Sequence, residues 1–268
     1  MPTLASAADG TYDRAAMARV YTGVSDRWHD DYELGRPGWP PQVLDVSGLQ
    51  SSASVLELAA GTGKLTRMLV SRFADVVAVE PDEGMRRLFV RNCPEAELCP
   101  GSSDEIPARD RSFDGVFIAE AFHVMDGARA LAEVARVLRP GGALVIMWNL
   151  PVPPADASLV TVDHLLRERA PEGLDYDAAD LCSVRFTSGE WREPFAGAPF
   201  GELQEARFPN PQTVGRDGVI ALAGSMGWVS ELPDDERLSL LDEVRSCLTA
   251  DKYERLWETR VFWTRLAA

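Results

Sequence analysis

Short apolar runs alternate with segments of helical periodicity between residues 42 and 150. The apolar runs are predicted strands, at residues 53–59, 76–79, 96–99, 113–122 and 143–148. Between them, apolar residues recur at helical spacing, which predicts helices that each bury one face, at residues 42–49, 64–73, 82–93 and 126–138. This alternation is typical of a parallel sheet covered by helices.

After residue 150 the alternation stops. Pro151, Pro153 and Pro154 predict a rigid segment directly after the fifth strand. Residues 151–201 contain one helical pattern (158–170) among scattered aromatic side chains. We predict that residues 151–201 form a small helical and aromatic cap inserted after strand five. The later periodic segments predict a sixth strand, two helices and a last strand, at residues 202–208, 214–226, 234–248 and 257–266.

The first predicted strand leads into a turn of small residues that contains Gly61 and Gly63. Glu57 stands four positions before Gly61, and Glu80 closes the second strand nineteen positions after it. An acid at this distance, at the end of the second strand of a βαβ unit, is placed to meet a ribose diol. An ordinary turn between strand and helix is the alternative.

The spacing of the turn excludes two phosphate-binding motifs. A P-loop requires Ser or Thr after Gly63-Lys64 and Gly at position 58, where the chain has Leu65 and Leu58. A dinucleotide fingerprint requires Gly or Ala at position 66, which is Thr66. The remaining pattern, acid-x-x-x-Gly-x-Gly, favours a ligand with an ammonium group and a ribose.

Four segments together resemble the motifs of class I S-adenosylmethionine-dependent methyltransferases, in particular the subgroup related to trans-aconitate methyltransferase. These segments are VLELAAGTGKLTRML, VVAVEPDEGM, GSSDEIPARDRSFDGVFIAEAFHVMD and LAEVARVLRPGGALVIMWN. The resemblance is strong over residues 30–150 and looser from residue 203 onward. It implies an α/β fold with a Rossmann-like seven-stranded sheet, mostly parallel with an antiparallel last strand, helices on both faces and the cap after strand five.

The resemblance also implies a cofactor, S-adenosylmethionine, and a product, S-adenosylhomocysteine. The methionine and ribose parts of the cofactor would lie against the glycine turn. Its adenine would lie against a loop after strand three, and its carboxylate against an Arg-Pro element. The implied cofactor-binding residues are Arg36, Glu57, Ala59, Gly61, Gly63, Glu80, Pro81, Met85, Ser102, Ser103, Asp104 and Ala119. The family usually has Gly at the position of Ala59.

Two candidate catalytic residues lie at the C-terminal end of predicted strand four. His123 could take a proton from a hydroxyl beside the methyl donor, and Glu120 is the second candidate. A histidine that only packs at the strand end is the alternative for His123. A carboxylate acceptor would need no base. The implied reaction is methyl transfer to a small molecule, with O-methylation of an organic acid or secondary metabolite as our prediction.

The amino-acid composition limits the classes of partner that we expect the protein to bind. The formal net charge is −15, which disfavours nucleic acid and anionic membranes as partners. The four cysteines have no CxxC spacing, so we expect reduced thiols and a cytoplasmic protein. The three histidines are far apart in sequence, so no metal site is expected.

The predicted organisation is a single domain in four parts: a lid or arm (1–41), a cofactor-binding core (42–150), the cap (151–201) and a segment that completes the sheet (202–268). Two other function classes stay open. A methyltransferase-fold cyclase would turn over without releasing S-adenosylhomocysteine. A non-catalytic protein that binds the cofactor would lack an enclosed acceptor pocket.

Overall fold

The structure, a computed structural model, describes residues 26–171 and 188–267. Its strands are β1 (Ser54–Leu58), β2 (Asp75–Glu80), β3 (Glu97–Pro100), β4 (Phe113–Ala119), β5 (Leu138–Pro151), β6 (Gln204–Gly215) and β7 (Lys252–Arg265). Its helices are α1 (Asp26–Gly35), α2 (Thr66–Arg72), α3 (Glu83–Asn92), α4 (Gly127–Val137), α5 (Ala157–Arg169), α6 (Arg216–Gly224), α7 (Gly227–Ser230) and α8 (Asp234–Cys247). Within the described ranges, no helix is both long and apolar enough to span a bilayer.

The strands form one seven-stranded sheet in the order β3-β2-β1-β4-β5-β7-β6. Strands β1 to β5 are parallel, and β7 runs antiparallel to both β5 and β6. The predicted Rossmann-like class with an antiparallel last strand is therefore confirmed. Parallel strands place all their carboxyl ends at one edge of the sheet, where this class of fold binds its ligands.

Apolar clusters cover both faces of the central strands. On one face, Leu131 and Val134 of α4 pack against Ile118 and Ile146. On the other, Leu65 and Leu69 pack with Phe117, and the cluster continues to Val145 and Met147 of β5. A third cluster joins α5, α6 and α8. A strand with both faces buried needs apolar residues throughout, which explains the continuous apolar runs in the sequence.

Several predicted boundaries were wrong. Strand four was expected to reach residue 122, but it ends at Ala119 because Glu120 takes a φ of 55° and breaks the extended backbone. The helix expected over residues 42–49 is a short 3-10 helix, Pro41–Leu44, and Gly48 beyond it has a φ of 62°, which a helix cannot contain.

The boundaries in the last third were also wrong. Strand β6 continues to Gly215 and β7 begins at Lys252, because the two strands pair along their whole length. Pro209 and Pro211 are tolerated because β6 is an edge strand. The helix expected over residues 214–226 is broken at Ser225, whose carbonyl accepts side-chain hydrogen bonds from Trp28 and Arg36. Predictions for residues 1–25 and 172–187 lie outside the described residues.

Candidate active site

The turn after β1 contains three residues with positive φ, namely Ala59 (59°), Gly61 (58°) and Gly63 (85°). A Cβ built on Gly61 would meet no atom within 4 Å, so this glycine faces open space. A Cβ on Gly63 would lie 2.3 Å from the sulfur of Cys93. The two glycines therefore differ: Gly61 is available to a ligand, whereas Gly63 allows α3 to pack closely against the turn.

Two buried carboxylates lie beside this turn and accept hydrogen bonds from residues in it or close to it. Glu57 is 2% exposed and accepts a hydrogen bond from the Thr66 hydroxyl. Glu80 accepts from the backbone N–H of Gly61 and of Asp82, both at 2.8 Å. Burial raises the pKa of Glu57 to about 8 and that of Glu80 to about 7. A cationic or hydroxyl-bearing ligand would lower the free-energy cost of ionising these buried carboxyl groups. Both groups therefore favour such a ligand.

Glu120 reaches the same region from the end of β4. Its Oε1 accepts a hydrogen bond from the backbone N–H of Asn149 at 2.7 Å. Burial raises the pKa of Glu120 to about 7, opposed by this hydrogen bond and by the positive charge of Arg36. A carboxylate that titrates near neutral pH can accept a proton under physiological conditions.

Helix α1 and the segment after it form another wall of the region that Glu57 and Glu120 reach. Arg36 donates from Nε to the Ser225 hydroxyl at 2.9 Å and from Nη2 to the Ser225 carbonyl at 3.1 Å. Its guanidinium carbon lies 5.6 Å from the ring centre of Tyr32. These contacts place a cation in the same cleft as two acids, the buried Glu57 and the half-buried Glu120.

Glu33 attaches α1 to the glycine turn. Its carboxylate accepts from the Thr62 hydroxyl and from Arg67 Nη2 (2.9 Å), and its backbone carbonyl accepts from Lys64 Nζ at 2.6 Å. Burial lowers the pKa of Lys64, although the Glu33 charge opposes this. The N-terminal wall is thus bound directly to the cofactor-binding turn predicted from sequence.

The structure brings six of the fourteen predicted site residues into one cleft, namely Arg36, Glu57, Ala59, Gly61, Ala119 and Glu120. Sequence reasoning missed Tyr32, Lys64, Asn149 and Trp257, which also line this cleft. Asn149 carried a usable signal, because it is a polar residue at the end of an otherwise apolar strand. Apart from their residue type, nothing in the sequence indicated that Tyr32, Lys64 and Trp257 would line the cleft.

The other predicted cofactor residues lie outside the lining of this cleft. Glu80 is the last residue of β2 and Pro81 follows it, and the loop after β3 carries Ser102, Ser103 and Asp104. These groups share the carboxyl edge of the sheet with the cleft. Gly63 faces α3 and Met85 is buried in it, while Asp104 lies 3.7 Å from Arg129.

His123 also lies outside the lining of the cleft. Its ring sits in a short 3-10 helix (Phe122–Val124), is 8% exposed, and accepts at Nδ1 a hydrogen bond from Trp148 Nε1 at 2.9 Å. A neutral imidazole that accepts at Nδ1 carries its proton on Nε2. Neither ring nitrogen then offers a free lone pair to a substrate proton.

The arrangement fits the cofactor implied by the sequence. With the cofactor bound here, Arg36 would offer two-pronged recognition of its carboxylate, Glu57 would supply negative charge for its ammonium group, and Glu80 would offer acceptor oxygens to its ribose diol. Gly61 leaves space for a ligand at the backbone. In the described ranges no three His, Cys, Asp or Glu side chains cluster as metal ligands would.

Comparisons with known proteins agree with this geometry. Residues 56–146 match the family model of a methyltransferase domain. An uncharacterized methyltransferase of Mycobacterium tuberculosis is 37% identical over 217 residues, which cover 81% of this chain and 82% of that protein. The demethylmenaquinone methyltransferase of Paenarthrobacter aurescens is 34% identical over 157 residues, covering 56% of this chain and 62% of that protein.

Among solved structures, a candidate type II methyltransferase from Anaeromyxobacter dehalogenans shares the fold. It has a TM-score of 0.63 and 22% identity, and it covers 87% of this chain and 98% of its own. None of these relatives singles out the trans-aconitate subgroup, which stays a prediction. The chain belongs to the class I S-adenosylmethionine-dependent methyltransferases, with S-adenosylmethionine as cofactor and S-adenosylhomocysteine as product.

Proposed function

We propose that this methyltransferase methylates a small molecule at oxygen, on a hydroxyl or carboxylate of an organic acid or secondary metabolite. The observation that carries the proposal is the cleft in which Glu57 and Glu120 face Arg36 beside an open glycine turn. The demethylmenaquinone methyltransferase among its relatives, by its name, acts on a small molecule, which supports this acceptor class.

The cofactor supplies an activated methyl group on a sulfonium, so the protein has to align the acceptor and exclude water. In our proposal Arg36 holds the carboxylate of the cofactor, Glu57 and the turn hold its methionine part, and Glu80 holds its ribose. Met85 and the loop of Ser102, Ser103 and Asp104 remain our candidates for adenine.

Glu120 is our first candidate for the base when the acceptor is a hydroxyl. It lines the cleft, and burial brings its pKa to about 7. In that step the hydroxyl proton would pass to the Glu120 carboxylate as the acceptor oxygen takes the methyl group, while the sulfur–methyl bond would break and the sulfur would keep the electron pair in the leaving S-adenosylhomocysteine. His123 is second, because its Nδ1 already accepts from Trp148. The ionised form of Glu120 would repel an anionic acceptor, which favours a hydroxyl over a carboxylate in our proposal.

The first test is calorimetric titration with S-adenosylhomocysteine. Glu80→Ala should weaken binding about tenfold or more, because it removes charge-assisted hydrogen bonds to the ribose. Glu95→Ala, which removes an exposed acid near β3, should bind as the wild type does. No binding by the folded wild-type protein would overturn the proposal.

The second test is turnover with panels of phenols, alcohols and carboxylic acids, with S-adenosylhomocysteine release as the readout. A hydroxyl acceptor should show a strong loss of kcat in Glu120→Gln. Product formation without S-adenosylhomocysteine release would instead identify a cyclase.

A further inference from the structure

Two backbone carbonyls flank Arg36, and side-chain amides from the C-terminal strands hold both of them. The Gly35 carbonyl accepts from Gln212 Nε2 at 3.3 Å. The Gly38 carbonyl accepts from Asn149 Nδ2 at 3.1 Å and from Asn210 Nδ2 at 2.8 Å. The segment that carries Arg36 is therefore fixed on each side of that residue.

These amides are themselves held in place. The Asn149 Oδ1 accepts from Asn210 Nδ2 at 3.0 Å and from the Thr259 hydroxyl. The Gln212 Oε1 accepts from Trp257 Nε1 at 2.9 Å. We call Asn149, Asn210, Gln212 and Thr259 the amide cluster. Its members come from three adjacent strands, since β7, which carries Thr259, pairs with both β5 and β6.

The amide cluster is buried at its centre. Asn149 is 3% exposed, Asn210 is 8% exposed and Thr259 is fully buried. Apolar side chains would cover the segment at a lower desolvation cost, since buried polar groups are tolerated only when hydrogen-bonded. A connected polar network adds directional contacts that define one geometry, which apolar packing does not.

The amide cluster also reaches the opposite wall of the cleft. The backbone N–H of Asn149 donates to Glu120, while its side chain donates to the Gly38 carbonyl. One residue thus links the acid of β4 to the segment that carries the cation. Asn149 lines the cleft, whereas Asn210 and Thr259 act only through other residues.

We propose that the amide cluster consists of positioning residues that set Arg36 for the amino-acid end of the cofactor. This inference rests on the proposed role of Arg36. It assigns to the C-terminal strands a part in cofactor recognition, although Gln212 and Thr259 lie far from the glycine turn in sequence.

The test compares two ligands by calorimetry. S-Adenosylhomocysteine carries the amino-acid end, and 5′-methylthioadenosine lacks it. Thr259→Val keeps the side-chain shape but removes the hydroxyl, and Thr259→Ser keeps the hydroxyl. We expect Thr259→Val to weaken binding of S-adenosylhomocysteine about fivefold and to leave that of 5′-methylthioadenosine within about twofold. Thr259→Ser should restore the wild-type ratio of the two affinities, and Arg36→Met should show the largest change in it.

Gln212→Met provides a second variant at a half-buried position, in case Thr259→Val fails to fold. Equal weakening of both ligands, or no weakening of either by any variant, would overturn the inference while the proposed function stands. Failure of the wild type to bind either ligand would overturn the proposed function itself.

Discussion

Ala59 and Glu120 share a left-handed backbone conformation, with φ of 59° and 55°, at the ends of two paired parallel strands. Leu58 and Ile118 are register partners, so the two strands end within one residue of the same level of the sheet. Non-glycine residues adopt this conformation at a cost, and it is concentrated at functional sites. The two turns expose the carboxyl edge of the sheet and form adjacent parts of the wall of the cleft.

Ala59→Gly should stabilise the protein. Glycine adopts a φ of 59° without the steric cost that alanine has there, so we expect the free energy of unfolding to rise by about 1 kcal/mol. Urea denaturation of the unliganded protein measures this change. Ala60→Gly is the matched control, because Ala60 has no positive φ and should lose stability. A loss of stability in both variants would contradict the prediction.

Glu120→Gln should reduce the dependence of stability on pH. Burial raises the pKa of Glu120 from 4.5 to about 7, so the folded protein binds this proton more tightly than the unfolded chain. Its contribution is present below pH 4.5 and is lost as the pH rises through 7. Between pH 5 and 8 the variant should gain about 1–3 kcal/mol relative to the wild type.

Denaturant titrations across this pH range measure the difference between the two proteins. Glu57 and Glu80 titrate in the same range in both, so only the difference between the curves is informative. Glu95→Gln, at an exposed position, should give a curve parallel to that of the wild type. A Glu120→Gln curve parallel to the wild type would refute the raised pKa.

Gly35→Ala should destabilise the docking of α1. A Cβ on Gly35 would lie 2.2 Å from the backbone nitrogen of Leu222, so α1 and α6 cannot keep their present approach. We expect a loss of about 1–3 kcal/mol in the free energy of unfolding. Gly38→Ala is the matched control, because its Cβ would meet no atom within 4 Å. Equal stabilities of the two variants would show that the helices separate without cost.

The hydrogen bond from Trp148 to His123 should appear as a coupling energy. The single variants His123→Ala and Trp148→Phe each remove one partner, and the double variant removes both. The double variant should lose less stability than the sum of the single losses, by about 0.5–1.5 kcal/mol. Additive losses measured by thermal unfolding would show that the bond contributes nothing to stability.

The first five strands could be predicted from the sequence because their signal is local. A strand buried on both faces requires a continuous apolar run, and β1, β2, β4 and β5 each contain one, whereas β3 is a partly exposed edge strand. The acid-x-x-x-Gly-x-Gly pattern likewise singled out Glu57 and Gly61, which both line the cleft. Strand β6 was predicted too short because Pro209 and Pro211 favour a break, and only the pairing with β7 overrides them.

The opposite wall of the cleft could not be predicted, because its contacts join residues far apart in sequence. Nothing local to Ser225 or Asn210 indicates that they hold Arg36 or the Gly38 carbonyl. The orientation of His123 was equally hidden, because it depends on the indole of Trp148 in another strand. The position of Glu120 at the end of β4 was visible in the sequence, but its positive φ was not.

The bonds that hold the Gly35 and Gly38 carbonyls also constrain the order of folding. They join residues separated by 111, 172 and 177 positions, so the segment is synthesised first and its partners much later. During translation, strands β1 to β5 can pair while this segment still lacks the partners from β6. Contacts of such long range form late.

We expect α1 to gain protection from hydrogen exchange together with β6 and β7 during refolding, and protection gained with β1 would contradict this. We therefore expect the nascent chain to acquire strands β1 to β5 before it can retain the cofactor.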